Sequence, residues 1–223
     1  EFLLMFNVKK LWSNNKQFIV FILLMSLFRS AVADWYTVPT GSMKPTIKEG
    51  DRIIVDKMAY DLKIPFTQVS LVALREPQRG DIVVFESFAA NNRLIKRMIG
   101  LPGDTIEMRD EKLFINGKAL KYQLFNQNTD QLFVTEQLDS INHIVRIDQN
   151  KSNQLSSFSS IIVPKDHYLV LGDNRRNSAD SRVYGFVPRH EIKGKATTIA
   201  FSINYDNFYL PRANRFLKDI YSI

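Results

Sequence analysis

"RLIKRMIGLPGDTIEMRDEKLFINGKAL", residues 93–120, carries the fold class of this chain. It opens on "RLIKRMIG" (93–100), an apolar run interrupted by two adjacent cations. In an extended strand successive side chains point to opposite faces, so Lys96 and Arg97 are expected on opposite sides of a sheet. Pro102-Gly103-Asp104 then punctuates a turn. Within "DTIEMRDEKLFINGKAL" (104–120), "EKLFINGKAL" reads as a β-hairpin whose two-residue turn is Asn116-Gly117. Helical periodicity is poor throughout.

The same grammar extends outward. "DRIIVDKMAY" (51–60), "GDIVVFESF" (80–88), "HYLVLGD" (167–173) and "KATTIAFSI" (195–203) read as further strands, with Gly50-Asp51 and Gly80-Asp81 as turn signals. The expectation is a mainly β protein: an antiparallel β core of many short strands with few helices. Residues 122–162 differ, being polar, rich in Asn, Gln and Ser, and irregular in period. They read as part of an inserted smaller lobe (roughly 105–165) with long loops or partial disorder, and "NKSNQLSSFSS" (150–160) as its mobile loop.

Composition bounds the function. The 223 residues are 45% hydrophobic and 24% charged, an ordinary globular balance. With no cysteine, a disulfide, a thiolate metal site and a cysteine nucleophile are excluded. The three histidines, His143, His167 and His190, lack metal-ligand spacing, and each reads as a surface residue. Neither a metal nor an organic cofactor is expected. The net charge of +7 lies in no long basic run, so nucleic acid is not expected as a partner. The same charge suits an anionic membrane surface.

"FIVFILLMSLF" (18–28) is an uninterrupted apolar or small run. From Phe18 to Ala33 it spans roughly 24 Å as a helix, slightly short of a bilayer core of about 30 Å. Arg29 can snorkel, and Trp35 and Tyr36 suit an interface. Lys9, Lys10 and Lys16 precede the run, which predicts a cytoplasmic N-terminal segment (1–17), an anchor (18–34) and an extracytoplasmic domain (35–223). A cleavable leader ending near Ala31 and Ala33, or a buried helix, are the other readings. An anchor is preferred because candidate catalytic residues lie just beyond it. Met5 is a candidate start residue.

Those residues begin in "VPTGSMKPT" (38–46). Ser42 is either a turn residue or a nucleophile, and a serine nucleophile needs a base. With no suitable histidine, lysine is the alternative, provided that burial lowers its pKa. Lys96, flanked by Leu94, Ile95, Met98 and Ile99, fits that condition. Lys44 is nearer but lies in a polar turn before Pro45, where nothing would desolvate it. Residue chemistry alone favours Lys96 only modestly.

Four blocks in order, "VPTGSMKPTIKEGD" (38–51), "RGDIVVF" (79–85), "IKRMIGLPGD" (95–104) and "GDNRRNSADSRVYGFVP" (172–188), lie behind the apolar segment. Together they resemble bacterial type I signal peptidases, the membrane-bound Ser-Lys proteases. The resemblance covers most of 18–120 and 164–203. It implies Ser42 as nucleophile and Lys96 as general base, with Ser178 hydrogen-bonding the lysine amine. It implies an oxyanion hole from the Ser42 N–H and the Thr40 hydroxyl, and a supporting Asp180–Arg182 ion pair. Gly172, Asp173 and Asn174 would shape the last turn. Most Gram-negative relatives carry serine where Thr40 stands and aspartate where Arg176 stands; some have a disulfide, which this chain cannot form.

The resemblance further implies cleavage of signal peptides from exported pre-proteins after small residues, in an Ala-x-Ala pattern. Tyr36, Val38, Met43, Ile47, Ile53, Leu94 and Ile95 match the pocket walls, with ordinary core packing as the competing reading. The setting implied is the bacterial inner membrane, crossed once, with the catalytic domain on the periplasmic face. The partners are pre-proteins and the lipid bilayer, and a monomer is expected. A peptidase dedicated to one secretion, pilus or conjugation substrate, a Ser-Lys autoprotease of the repressor type and an inert tethered relative are the alternatives.

Overall fold

The computed structural model describes residues 2–67 and 69–222, with side chains from residue 15 onward. Helix α1 (Phe2–Ala31) leads directly into β1 (Ala33–Thr37) and β2 (Asp51–Asp56). A short hairpin, β3 (Asp61–Lys63) and β4 (Ser70–Ala73), precedes β5 (Ile82–Ser87) and β6 (Asn92–Gly100). Then come β7 (Thr105–Arg109), β8 (Lys112–Ile115) and β9 (Lys118–Ala119). Strands β10 (Lys121–Gln127), β11 (Gln131–Leu138), β12 (Ile141–Asp148) and β13 (Phe158–Ile162) fill the next segment. The chain finishes with β14 (His167–Leu171), helix α2 (Ser181–Tyr184), β15 (Val187–Pro188), β16 (Ile192–Asn204), β17 (Leu210–Pro211) and β18 (Lys218–Asp219).

The main sheet runs β1-β2-β16-β5-β6-β14-β15, and its registered pairs are antiparallel. Strand β2 alternates buried and half-buried residues, as a sheet with one packed face requires. Ile53 and Val55 point inward to Val38, Met43, Ile47, Val84 and Ile199, which form the first core cluster. Each such side chain contributes roughly 1.5–3 kcal/mol by leaving water. Asp51 shares that buried face because Arg215 meets it twice, at 2.9 and 2.5 Å.

Strands β8 and β9 form the expected hairpin, and β7 extends it into a meander. Asn116 and Gly117 both take positive φ (51° and 74°), as a tight hairpin turn demands. The β7–β8 turn does the same with Asp110 and Glu111 (46° and 67°), without any glycine to announce it.

The polar stretch 122–162 is largely strand, which corrects the expectation of long loops. Strands β10, β11 and β12 form their own antiparallel sheet, and β13 pairs with β7. In β12, His143, Val145 and Ile147 face inward while the residues between them are more exposed. The Asn and Gln residues populate solvent-facing positions and so blur the period. Residues 149–157 are the loop that remains between β12 and β13.

Among the described residues no helix is long and apolar enough to cross a membrane. The expected segment 18–34 divides into the end of α1 and the start of β1. Its large apolar side chains, Phe18, Phe21, Leu24 and Phe28 among them, are exposed. Much of the expected cytoplasmic segment, including Met5, Lys9 and Lys10, lies outside the residues whose side chains are described.

Candidate active site

Strand β6 carries two cations into the interior. Lys96 and Arg97 are each 2% exposed and, as neighbours in a strand, serve opposite faces. Arg97 meets Asp173 through two hydrogen bonds of 2.8 and 2.7 Å and donates a third to the Gly80 carbonyl. On the other face, the Lys96 amine lies 2.9 Å from Ser42 Oγ and 3.0 Å from the Ile95 carbonyl.

Burial disfavours the ammonium form and holds the Lys96 pKa down to about 8, against the pull of Asp180 and Asp173 and with help from Arg182. At neutral pH an appreciable fraction of the amine is therefore unprotonated and able to accept a proton. Lys44, the nearer lysine, instead forms an ion pair with Glu49 at 2.6 Å.

The loop bearing Ser42 is pinned from both sides. Met43 and Ile47 are buried in the first core cluster. Asn174 donates its backbone N–H to the Ser42 carbonyl (3.0 Å) and its side-chain amide to the Gly41 carbonyl (2.9 Å). Thr46 donates to Asp173 at 2.5 Å, so one carboxylate holds both the loop and Arg97. The Ser42 N–H and the Thr40 hydroxyl make no hydrogen bond among the described residues, and Thr40 is exposed. Both donors are thus available to a ligand.

Behind the lysine, Asp180 pairs with Arg182 at 2.8 Å and accepts the Gly172 N–H at 3.0 Å. Burial works against its ionisation, but Arg182, the Gly172 N–H and nearby Ser178 prevail and keep its carboxyl below the usual range. Arg182 also reaches the carbonyls of Arg175 and Leu155, tying the last block to the 149–157 loop. Gly172 is required by space: a Cβ there would collide with Ser178 Oγ and would sit 2.5 Å from the Ser42 carbonyl oxygen. This contact sets Ser178 beside the nucleophile loop. The expected bond to the lysine amine is not formed, and among the described residues the buried Ser178 Oγ makes no hydrogen bond of regular geometry.

The seven matched pocket residues separate into two groups. Val38, Met43, Ile47 and Ile53 are at most 3% exposed and lie in the first core cluster. Tyr36, Leu94 and Ile95 retain accessible surface. Leu94 lines a cavity of about 180 Å³ together with Phe85, Phe88, Val170 and Asp180.

His143 corrects another expectation, since it is 4% exposed rather than a surface residue. Its Nε2 lies 3.3 Å from Glu136 and 3.9 Å from Asp173, without the geometry of a hydrogen bond. Burial and Arg97 hold the imidazole pKa down against Glu136 and Asp173, which favours the neutral ring. Glu136 in turn pairs with buried Arg175 at 2.6 Å and accepts the Tyr122 hydroxyl at 2.6 Å. This network joins the β10–β12 sheet to the last block, and the sequence reading did not include Glu136 or Tyr122. No alternation in β11 marks Glu136, because residues 131–135 are all half-buried. Arg176, the departure from relatives, is answered by Glu111 at 2.8 Å.

A catalogued protein family described as signal peptidase, peptidase S26, matches residues 11–201. A signal peptidase I of Pseudomonas aeruginosa is 33% identical over 203 residues, covering 84% of this chain and 71% of its own. One from Rickettsia typhi is 36% identical over 210 residues, covering 82% and 77%. A crystal structure of a signal peptidase I from Enterococcus faecalis V583 is 36% identical, covers 55% of this chain and 98% of its own, and superposes with a TM-score of 0.36.

Proposed function

The chain belongs to the signal peptidase family, peptidase S26, and from that premise we propose that it is a serine endopeptidase that removes signal peptides from exported pre-proteins with a Ser42–Lys96 dyad. The observation that carries the dyad is the 2.9 Å approach of the Lys96 amine to Ser42 Oγ inside a buried setting.

Neutral Lys96 takes the Ser42 proton as Oγ attacks the scissile carbonyl. The Ser42 N–H and Thr40 hydroxyl stabilise the oxyanion. The lysine ammonium gives its proton to the leaving amine of the mature chain, and the peptide bond breaks. Water then loses a proton to Lys96 and attacks the ester, releasing the signal fragment and restoring Ser42. Asp180 and Arg182 fix the field around the amine, and Ser178, set against the nucleophile loop by Gly172, is its positioning residue.

The substrate binds extended, adding a strand beside the site. Two features support this. Strand β1 is the terminal strand of its sheet, and β6 pairs with β14 only over Arg97–Gly100, leaving the edge up to Lys96 open. Tyr36, Leu94 and Ile95 are the pocket walls that retain surface, and they suit small side chains after which the bond is cut.

The exposed apolar side chains among residues 18–28 support α1 as a single inner-membrane anchor. The reading extends to residues 35–223 as a monomeric periplasmic domain with 105–165 as its inserted lobe. Confinement to the bilayer surface raises the effective concentration of membrane-inserted substrate. Incubation of the full chain in detergent with a pre-protein tests this function. A single cut after a small residue is expected, and an intact pre-protein with a folded enzyme contradicts it.

A further inference from the structure

A cavity of about 460 Å³ lies where α1 gives way to β1, apart from the Ser42–Lys96 pair. Six cations line it: Arg29, Arg52, Lys57, Lys63, Arg93 and Lys193. Only two carboxylates, Asp34 and Glu86, face them.

Each carboxylate is already shared. Asp34 meets Arg29 at 2.7 Å and Lys57 at 3.3 Å. Glu86 meets Arg93 at 2.7 Å and Lys193 at 3.4 Å. Lys63 bonds the Ile192 carbonyl at 3.2 Å and reaches Asp61 only at 4.0 Å, a carboxylate that Arg189 already holds with two bonds. Arg52 pairs with no carboxylate among the described residues. Like charges gathered around one cavity repel unless an anion joins them. Burial, opposed by Asp61 and aided by Lys193, Arg189 and Lys57, holds the Lys63 pKa below its usual value, consistent with a positive local potential.

The position of the cavity selects the anion. It sits at the end of a helix whose described apolar side chains, Phe18, Phe21, Leu24 and Phe28 among them, are mostly exposed. Trp35, half exposed, lies under the Arg29 guanidinium at 4.6 Å, a pairing suited to a membrane interface. We propose that this cavity binds the phosphate of an anionic phospholipid headgroup. The inference rests on the reading of α1 as the membrane anchor. An occupant there also touches Tyr36 and Arg93, which stack at 4.5 Å beside the open edge of β6, so the site borders the substrate path.

The test uses the full chain in a non-ionic detergent, in a Trp12→Phe background so that Trp35 reports alone. Its fluorescence is titrated with dihexanoyl phosphatidylglycerol, dihexanoyl phosphatidylcholine and inorganic phosphate. Saturable binding of the phosphatidylglycerol alone is expected. Arg52→Gln, which removes no ion pair, weakens it about fivefold at unchanged melting temperature, and Arg52→Gln with Lys63→Gln weakens it further. Equal binding of phosphatidylcholine, phosphatidylglycerol binding that both variants leave intact, or inorganic phosphate binding as tightly as the lipid overturns the proposal. The anchor is read separately by flotation with phosphatidylcholine vesicles. A chain that fails to float yet keeps headgroup selectivity loses the anchor and keeps the site.

Discussion

The Lys96 amine lies 2.9 Å from Ser42 Oγ, although 54 residues separate the two in sequence. Strand β6 delivers the lysine and the pinned turn after β1 delivers the serine, so neither is placed by local sequence alone. Ser42→Ala and Lys96→Ala are each expected to reduce pre-protein cleavage by at least about a thousandfold, because groups acting as a unit fail together. Lys44→Ala, which loses only a half-exposed ion pair, is expected to stay within a few-fold of the parent. Initial rates in detergent check all three.

Thr40 makes the second prediction. Thr40 is exposed, and its hydroxyl makes no hydrogen bond among the described residues. If it donates to the oxyanion, Thr40→Val lowers kcat by roughly 10²–10³ with little change in KM, and Thr40→Ser restores the rate. A Thr40→Val enzyme with parental kcat would remove threonine from the oxyanion hole.

Ser178 separates catalysis from stability. Its buried oxygen makes no hydrogen bond of regular geometry among the described residues, so Ser178→Ala is expected to leave urea unfolding within about 1 kcal/mol of the parent. As a group that positions the lysine, it is expected to lower kcat at least about tenfold and to shift the pH profile. A normal rate and an unmoved profile would make Ser178 a packing residue only.

Asp173 tests the opposite face of β6. It neutralises Arg97, holds Thr46 and is itself fully buried. Asp173→Ala strands a buried guanidinium and is expected to cost about 3–5 kcal/mol. Arg97, His143 and Thr46 keep the Asp173 pKa below its usual value against the effect of burial. Its contribution to stability is therefore present above the ordinary aspartate range and is lost as pH falls through the lower folded value. Urea midpoints measured from neutral to acidic pH should fall for the parent and change less for the variant.

The strands between residues 80 and 120 were legible because apolar alternation and Gly-containing turns agree there. The Asp110-Glu111 turn was not, since it holds no glycine and Glu111 gives no sign of positive φ. The pairing of Ser42 with Lys96 needed the four ordered blocks, because burial of a lysine depends on strands distant in sequence. The pocket residues were ambiguous for a physical reason: Val38 or Ile53 has the same chemistry in a pocket wall and in a core, and burial assigns four of the seven to the core. His143 and Glu136 were hidden by polarity, since a buried charged network leaves no hydrophobic period.

The pH dependence of kcat/KM for pre-protein cleavage tests the lysine base most directly. The unprotonated amine is the active form, so the rate should rise about tenfold per pH unit at acidic pH and level off above an apparent pKa of about 8. An acidic limb governed only by a group near 6.5, the range of histidine, or one that keeps rising to about 10.4, that of a solvated lysine, would contradict a buried Lys96 as the base.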